Sequence, residues 1–287
     1  MKIIRKSVIP DADQEIVAIP GRLETLEVAI DIGGTGWRVA MRDAGTVRIL
    51  GRGLTGTRNV TGLSGLRDVV RAACGPDTRA GVAFPGAVDR RGVVTAWPNR
   101  PQWIGYDLRS ALGVPAATPL SICDDGLAAM MGETRIGVAA DLADLLFLTL
   151  GTGIGGGLVI DRRVRQPSAP DARTIGHLVN LGTARRCRCG RIGCLQTALD
   201  TLPNDSELLS DGLTAWPDGG RLVSAVTDLA SLAGVGTVLL TGGLLDRAGL
   251  RTALTSALTR SGLDATVPPA PGRSALLGAF FAQERID

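Results

Sequence analysis

Residues 144–160 read Asp-Leu-Leu-Phe-Leu-Thr-Leu-Gly-Thr-Gly-Ile-Gly-Gly-Gly-Leu-Val-Ile, and this stretch decides the fold. One apolar run leads into a glycine-dense turn, and a second one leaves it. Gly151, Gly153 and Gly156 match the spacing G-x-G-x-x-G, which indicates a dinucleotide site only where a helix follows the turn. Here the residues that follow are few, aliphatic and soon closed by the charged residues 161–163. The stretch therefore predicts two strands joined by a glycine tip.

A glycine tip of this kind can bind an anion. Glycine adopts backbone angles closed to other residues, which lets N–H groups approach a phosphate, and Thr152 adds a hydroxyl donor. A second such turn, at residues 33–35, joins predicted strands at 26–32 and 36–42. Asp31 precedes it and can hold Mg²⁺ or its waters while the turn meets phosphate oxygens. On local grounds, an ordinary glycine-rich hairpin and an aspartate bonded to its own turn remain alternatives.

The bulk composition excludes several classes of protein. With 287 residues, 45% hydrophobic and 21% charged, the chain is typical of a soluble protein of one large or two medium domains. A net charge of +3 is too small to indicate nucleic acid. Lys2 and Lys6 are the only lysines, so no P-loop motif is present. No apolar stretch approaches the roughly 20 residues of a membrane helix, and no signal-peptide pattern precedes residue 27, so we expect a cytoplasmic protein.

Hydrophobic periodicity predicts alternating strands and helices over the rest of the chain. Helices are expected at 63–74, 126–136, 221–233, 245–258 and 274–282, and further strands at 46–50, 79–84, 93–96, 120–123 and 235–240. A third glycine turn, Gly242-Gly243, follows the last of these strands. The rigid loop 98–103 either forms a wall for a small polar ligand or packs Trp97 and Trp103 at a domain edge.

Asp124 and Asp125 stand where a predicted strand ends and a helix begins. An acidic pair at this position usually caps the helix. The helix dipole also keeps a carboxylate there ionised, which a general base facing a substrate hydroxyl requires. Both interpretations stay open on the local sequence.

Four metal-ligand residue types crowd into 18 residues: His177, Cys187, Cys189 and Cys194. Clustered cysteines in a cytoplasmic protein favour metal binding over disulfides. Three cysteines and one histidine form a closed, tetrahedral set without an open position for catalysis. The spacing therefore predicts a structural Zn²⁺ site, with chance clustering as the alternative.

The three strand-then-glycine-turn units and the acidic helix start resemble the phosphate-binding layout of the actin-like ATPase and sugar kinase fold. The finer resemblance is to the ROK family of bacterial sugar kinases and sugar-responsive repressors, and it runs from about residue 27 to the C-terminus. Five segments carry it: residues 31–35, 81–89, 98–103, 150–157 and the cysteine-rich segment 176–195.

The resemblance implies a two-lobed α/β fold of the actin-like ATPase (ribonuclease H-like) type, with mixed sheets flanked by helices and a small zinc loop at 177–194. Residues 1–117 would form the smaller N-terminal lobe and residues 118–271 the larger C-terminal lobe. A C-terminal helix at about 272–287 would pack back on the N-terminal lobe.

The resemblance also implies an ATP- and Mg²⁺-dependent kinase of carbohydrate metabolism, a phosphotransferase with an alcohol group as acceptor. Asp125 would be the catalytic base that takes the proton from a sugar hydroxyl as it attacks the γ-phosphate, and Asp31 would act through Mg²⁺. The nucleotide would be bound by Gly33, Gly34, Thr35, Gly151, Thr152 and Gly153, with Gly242 and Gly243 bordering adenosine. The acceptor site would comprise Asn99, Asp124, Asp125, Thr174, His177 and Gln196.

Four residues depart from the family pattern. Family kinases usually read Glu-Asn-Asp where this chain has Cys123-Asp124-Asp125, and Thr174 and Gln196 each replace a glutamate. Two carboxylates that would accept hydrogen bonds from sugar hydroxyls are thus neutral, and a new one is present. Mismatched polar partners change selectivity by roughly 10⁴ or more. The pattern therefore favours a modified hexose, an amino sugar whose ammonium pairs with Asp124, or a cyclitol over glucose.

Two alternatives compete with a kinase. A repressor would need a helix-turn-helix, and the roughly 27 residues before the first strand, with Pro10 and Pro20 among them, do not fit one. A catalytically inactive sugar sensor with the same fold remains open.

We expect no nucleic acid or membrane partner. A homodimer is compatible with the resemblance, although the 45 residues between Gln196 and Gly242 leave less than the family's usual dimerisation surface.

Overall fold

The computed structural model of the protein describes residues 17–18, 26–55, 63–97, 99–165, 175–178 and 183–283. These residues form two compact units. The first contains the described residues up to Ala128 together with those from Ala275 onwards, and the second contains those from Ala129 to Ser274. Each unit has a sheet with parallel and antiparallel pairs and helices packed on it, so the expected α/β class with mixed sheets is confirmed.

The described part of the first unit contains eight strands, and three helices start within it. The strands are β1 (Val17–Ala18), β2 (Leu26–Ile32), β3 (Gly36–Asp43), β4 (Thr46–Leu54), β5 (Thr78–Phe84), β6 (Ala87–Val88), β7 (Val94–Ala96) and β8 (Leu120–Asp124). The helices are α1 (Ser64–Ala73), α2 (Leu108–Leu112) and α3 (Asp125–Ile136).

Six of these strands form one sheet in the order β1-β4-β3-β2-β5-β8, while β6 and β7 form a separate ribbon. Strands β2, β3 and β4 are antiparallel neighbours, whereas β5 lies parallel to both β2 and β8. Val28, Ile30 and Ile32 on β2 are fully buried, and so is Ala29 on the opposite face. A near-continuous apolar run is typical of a strand covered on both faces, which explains why this stretch forms the centre of the sheet.

The second unit has a five-stranded sheet in the order β11-β10-β9-β12-β13. Its elements are β9 (Leu145–Leu150), β10 (Ile154–Ile160), β11 (Arg163–Arg165), α4 (Asp205–Asp211), α5 (Gly219–Ala233), β12 (Thr237–Thr241), α6 (Ala248–Arg260) and β13 (Asp264–Thr266). The last helix, α7 (Ser274–Ala279), belongs to the first unit from Ala275 onwards. None of the described helices combines the length and apolarity that crossing a bilayer requires.

The hairpin predicted at residues 144–160 is formed, with β9 and β10 antiparallel. Its second strand begins at Ile154, four residues earlier than the apolar pattern suggested. The glycines at the start of this strand are needed because neighbouring atoms leave no room for side chains. A Cβ at Gly156 would lie 2.2 Å from the carbonyl oxygen of Phe147, and one at Gly157 would lie 3.0 Å from the methyl of Met130. These glycines therefore serve close packing as well as the turn.

Other boundaries differ from the sequence prediction for identifiable reasons. The first unit extends past residue 117 because β8 pairs with β5. The helix expected at 245–258 begins at Ala248, since Gly243–Asp246 forms a 3₁₀ turn. The short helices α2 and α4 were not predicted because one or two turns give too little periodicity to detect. Residues 1–16, and with them most of the expected N-terminal extension, lie outside the described residues.

Helix α7 approaches its neighbours closely enough to require glycine. A Cβ at Gly278 would lie 1.5 Å from the carbonyl oxygen of Ala128 on α3, and a Cβ at Gly81 on β5 would lie 1.8 Å from the carbonyl oxygen of Ala279. The guanidinium of Arg42 on β3 lies 5.2 Å from the ring centroids of both Phe280 and Phe281. The C-terminal residues are thus packed into the first unit.

We expect Gly278→Ala to lower the free energy of unfolding by about 1–3 kcal/mol or more, because the added methyl overpacks a backbone contact that cannot yield without moving the helix. Gly220→Ala is the matched control, since Gly220 also lies in a helix but has open space at its Cβ position. That control should be neutral or stabilising by up to about 1 kcal/mol. Urea unfolding measures both, and equal stability of the Gly278→Ala variant would contradict the contact.

Candidate functional site

Three carboxylates converge at one edge of the first sheet. Asp31 is the penultimate residue of β2, Asp124 ends β8, and Asp125 begins α3. Strands β2, β5 and β8 are parallel, and Asp31 and Cys123 lie level on either side of Ala83. The carboxyl ends of parallel strands are where open α/β sheets bind ligands. The structure thus brings together two sequence positions more than 90 residues apart.

The acidic pair contacts the start of α3. Asp124 Oδ1 accepts a hydrogen bond from the backbone N–H of Leu127 at 3.0 Å, and Asp125 Oδ1 accepts one from Gly126 at 2.8 Å. The capping interpretation is therefore correct for Asp124. It does not exclude a chemical role for Asp125, whose carboxylate is held in place by the same helix start.

Burial raises the pKa values of all three carboxyl groups, and repulsion from its neighbours raises that of Asp125 further. Burial raises the pKa of Asp31 to about 6, and Arg38, 3.6 Å away, partly opposes this rise. The pKa of Asp125 lies well above its ordinary value because of burial first, and then the charges of Asp124 and Asp31. Burial also raises the pKa of Asp124, and hydrogen bonds from the backbone N–H groups of Leu127 and Gly126 partly oppose this rise. Perturbed carboxyl groups of this kind are characteristic of catalytic and binding sites.

The charge of Asp124 should therefore control the pH dependence of any reaction that needs ionised Asp125. Asp124→Asn removes one negative neighbour, which lowers the pKa of Asp125 and lets it ionise at lower pH. We expect the acid limb of the kcat/KM profile to move to lower pH, measured with an acceptor that carries no amino group. An unmoved acid limb would show that Asp125 is not the group that titrates in that limb.

The first glycine turn is braced from three sides. The N–H of Gly33 donates to the carbonyl of Gly36 at 2.7 Å, and the hydroxyl of Thr55 donates to the carbonyl of Gly33 at 2.9 Å. The guanidinium of Arg100 donates to the carbonyl of Gly34 at 2.5 Å. The N–H of Thr55 also reaches the carbonyl of Thr35 at 3.0 Å. The turn therefore keeps one shape, which a preorganised anion site requires.

Trp103 of the loop at 98–103 and the preceding Trp97 pack into the core. Trp97 and Trp103 are almost fully buried, with ring centroids 4.9 Å apart, and Phe84 lies 4.9 Å from Trp97. Of the two alternatives that the sequence left open, packing and not a ligand wall therefore holds for these two side chains. Asn99 is half-buried beside them.

Two arginines at the site, Arg38 and Arg100, were not predicted from the sequence. Arg38 faces Asp31 in the β2–β3 register, and strand alternation could have revealed this pairing.

In the second unit, two glycine turns lie at one edge of the sheet. The N–H of Gly151 donates to the carbonyl of Gly153 at 2.9 Å and closes the hairpin tip, where Thr152 is exposed. Strand β12 is parallel to β9, which brings Gly242 beside the end of β9. Gly242 has φ of +101°, and a Cβ there would lie 2.2 Å from the carbonyl oxygen of Leu150. Gly243, which follows, has open space. Only glycine fits at 242, and the two turns are neighbours.

The four predicted metal ligands form one cluster in the second unit. Their ligand atoms all lie within 4.8 Å of one another. Cys187 Sγ is 3.7 Å from His177 Nδ1, and Cys189 Sγ is 3.6 Å from Cys194 Sγ. Zinc–sulfur bonds of about 2.3 Å and zinc–nitrogen bonds of about 2.0 Å at tetrahedral angles require ligand separations of about 3.5–3.8 Å. The two quoted separations match this range and no pair is more than 4.8 Å apart, so the residues fit a tetrahedral Zn²⁺ after side-chain shifts of about 1 Å.

Charged contacts anchor the cluster to its surroundings. Arg185 pairs with Asp218, which is 2% exposed at its side chain and also accepts a hydrogen bond from Thr201 at 2.7 Å. Arg191 donates to the carbonyl of His177. Because these bonds hold both ends of the loop, its ligands are preorganised. Of the residues expected in the acceptor site, Thr174 lies outside the described residues, His177 belongs to the cluster, and Gln196 adjoins it.

Comparison with known proteins finds both enzymes and regulators. A model described as ROK family matches residues 27–200. The kanosamine kinase of Amycolatopsis mediterranei is 36% identical over 179 residues, 59% of this chain and 57% of that kinase. The xylose repressor of Caldicellulosiruptor bescii is 32% identical over 117 residues, 40% of this chain and 29% of the repressor. The ROK family glucokinase structure from Streptomyces griseus, in complex with glucose and AMPPNP, has a TM-score of 0.69 at 23% identity, covering 89% of this chain and 98% of that one.

These matches agree on the fold and differ in activity, and the matched segments span little more than half of the kinase and under a third of the repressor. The likeness to the glucokinase structure supports the actin-like ATPase fold expected from the resemblance. The matched region contains the first glycine turn, the acidic pair, the hairpin and the metal cluster. Since the family model covers more than half of the chain, this protein belongs to the ROK family.

Proposed function

We propose that this protein is an ATP-dependent kinase that phosphorylates a hydroxyl of a sugar or sugar-like acceptor. One observation carries the proposal: a buried carboxylate, Asp125, is held at a helix start with its pKa raised by burial, Asp124 and Asp31. A proton acceptor works best with a pKa near the operating pH, and raised carboxyl pKa values serve that purpose in general bases. A sensor without catalysis has no need of such a group.

In this proposal Asp125 takes the proton from the acceptor hydroxyl as its oxygen attacks the γ-phosphate. Phosphoryl transfer depends mainly on positioning and charge neutralisation, so the remaining roles are electrostatic. Asp31 would hold Mg²⁺ or its waters, and Mg²⁺ in that position would neutralise charge on the phosphates. The braced backbone of the first turn, residues 33–35, would orient phosphate oxygens.

In the second unit, two glycine turns are assigned to the nucleotide. Gly151, Thr152 and Gly153 form an exposed tip with free space beside Gly151, which suits phosphate, and the neighbouring turn at Gly242 and Gly243 would border adenosine. A Zn²⁺ ion held by the cysteine-rich cluster would be structural, because its four protein ligands leave no open position. A reaction that consumes ATP agrees with the expected cytoplasmic location.

For the acceptor we propose an amino sugar, with a modified hexose or a cyclitol as the other candidates. The carboxylate of Asp124 is exposed one residue from Asp125 and can pair with an ammonium group. The 36% identity to a kanosamine kinase supports this choice. Asn99, Thr174, His177 and Gln196 are assigned to the acceptor by the family resemblance alone.

The test is an ATP-dependent phosphorylation screen over hexoses, amino sugars and cyclitols, with coupled ADP detection and mass spectrometry of the product. We expect the highest kcat/KM with an amino sugar. The Asp124→Asn variant should shift the preference towards the corresponding neutral sugar, which has a hydroxyl in place of the amino group. Turnover of neutral sugars only would contradict the amino-sugar assignment. Sugar binding without turnover of any acceptor would favour the alternative of a catalytically inactive sugar sensor. Repressors are also among the relatives of this chain.

A further inference from the structure

Gln196 touches the metal cluster with one end of its amide. Its Nε2 lies 3.1 Å from Cys187 Sγ, within hydrogen-bond distance for sulfur. A thiolate only accepts hydrogen bonds, so the amide nitrogen, and not the oxygen, must face it. Such N–H···S bonds to a metal-bound sulfur orient the ligand and tune its bond to the metal. Gln196 is thus a partner of the cluster, although it is not itself a metal ligand.

The other end of the same amide lies against the hairpin tip. A Cβ built at Gly153 would lie 2.9 Å from Gln196 Oε1, so the side chain fills the space that any larger residue at 153 would need. A second contact joins the residue before His177 to the residue after Gly153. Gly176, just before His177, approaches so closely that its Cβ would lie 1.9 Å from the carbonyl oxygen of Ile154, just after Gly153. The cluster and the tip therefore meet at two adjacent points.

We propose that Gln196 is a positioning residue that couples the metal cluster to the tip of the hairpin, in place of the acceptor contact that the family resemblance assigns to this position. The metal fixes Cys187, the sulfur of Cys187 fixes the amide of Gln196, and that amide limits where the backbone at Gly153 can lie. Metal binding in this way preorganises the tip before the nucleotide arrives. The kinetic part of this inference rests on the proposed kinase function, whereas the structural part does not.

The metal side of the coupling is tested on the full chain loaded with Co²⁺. Gln196→Met keeps the length of the side chain and removes the donor, and Gln196→Glu places a carboxylate beside the thiolate. Both should shift the sulfur-to-cobalt charge-transfer band and speed metal release to a chromogenic chelator by about 10-fold or more, the effect usual for partners of metal ligands. Unfolding by urea confirms that each variant is folded.

The hairpin side is tested with two glycine variants of one loop. Gly153→Ala pushes the Gln196 amide from its place and should also speed metal release, although residue 153 touches no ligand atom. Gly151→Ala is the matched control, because a Cβ at 151 has no neighbour within 4 Å. Its metal release should equal that of the wild type. Equal release from both glycine variants, together with an unshifted cobalt band in Gln196→Met, would overturn the coupling.

Ligand affinity separates positioning from acceptor binding. We expect Gln196→Met to weaken binding of a non-hydrolysable ATP analogue several-fold, while the dissociation constant of the acceptor sugar stays within twofold of the wild type. The opposite pattern, a lost acceptor affinity with unchanged nucleotide affinity and metal release, would show that Gln196 contacts the acceptor and would overturn the inference. If no acceptor is ever phosphorylated but the cobalt and chelator results hold, the kinase proposal fails and the coupling stands.

Discussion

We expect Asp125→Asn to lower kcat by about 10²–10⁴-fold, the range that general acid–base catalysis contributes. The substitution removes the proton acceptor and little else. The amide oxygen of asparagine can still accept the hydrogen bond from the N–H of Gly126, which keeps the helix start intact. Nucleotide and acceptor affinities should therefore change far less than kcat. Steady-state kinetics with the preferred acceptor and binding of a non-hydrolysable ATP analogue measure the two effects separately.

The same variant should be at least as stable as the wild type at pH 7–8. The pKa of Asp125 is raised in the folded state, so its ionised form opposes folding, and stability is lost as pH rises through that pKa. A neutral amide has no such penalty, and a loss of activity with unchanged or higher Tm is the pattern of a functional residue that costs stability. Asp228→Asn, on the exposed face of α5, is the control and should leave both quantities unchanged. Wild-type kcat in the Asp125→Asn variant would refute the assignment of the base.

The second large effect concerns the metal cluster. Cys194→Ser should reduce bound zinc from about one per chain to a small fraction, because serine is a poor zinc ligand and the remaining three ligands leave the site open. We expect the free energy of unfolding to fall by more than about 4 kcal/mol, since structural zinc contributes directly to folding. In a chain of this size, that loss corresponds to a drop in Tm of roughly 10 °C. Metal analysis by mass spectrometry and calorimetry give the two values.

Cys74→Ser is the matched control for this experiment. Cys74 is the C-cap residue that follows helix α1 in the first unit and lies outside the cluster, so zinc content should stay at the wild-type value. Chelation of the wild-type protein should reproduce the loss of Tm, and added Zn²⁺ should restore it. A wild-type protein purified with well under one zinc per chain, or a Cys194→Ser variant with unchanged zinc and Tm, would contradict the assignment.

Much of this architecture was predictable because its signals are local. The hairpin at 145–160, the strand ending at Ile32 and the helix beginning near Asp125 each carry apolar periodicity bounded by glycine or an acidic cap, and all three are formed. The cysteine spacing predicted a cluster that the structure assembles. The catalytic and binding roles of individual residues stay predictions, since they depend on bound ligands.

Other features are set by contacts between distant segments, which local patterns do not encode. Nothing in the sequence near Trp103 distinguishes a ligand wall from a core residue; the neighbouring rings of Trp97 and Phe84 settle the choice. The bond from Arg100 to Gly34 joins residues 66 positions apart. The close approach of α7 to Ala128 explains Gly278 only once both elements are in place.

By itself, the sequence determined the α/β class, the glycine turns, the acidic pair and the metal-ligand set, because strand and helix periodicity, glycine and clustered cysteines act over a few residues. The tertiary structure alone decided what these residues do to one another. Burial and two neighbouring charges raise the pKa of Asp125, and sheet register brings Asp31 into its neighbourhood. Folding also places the amide of Gln196 between a metal ligand and the hairpin tip. Desolvation and through-space contact depend on the packed chain, so no local pattern could reveal them.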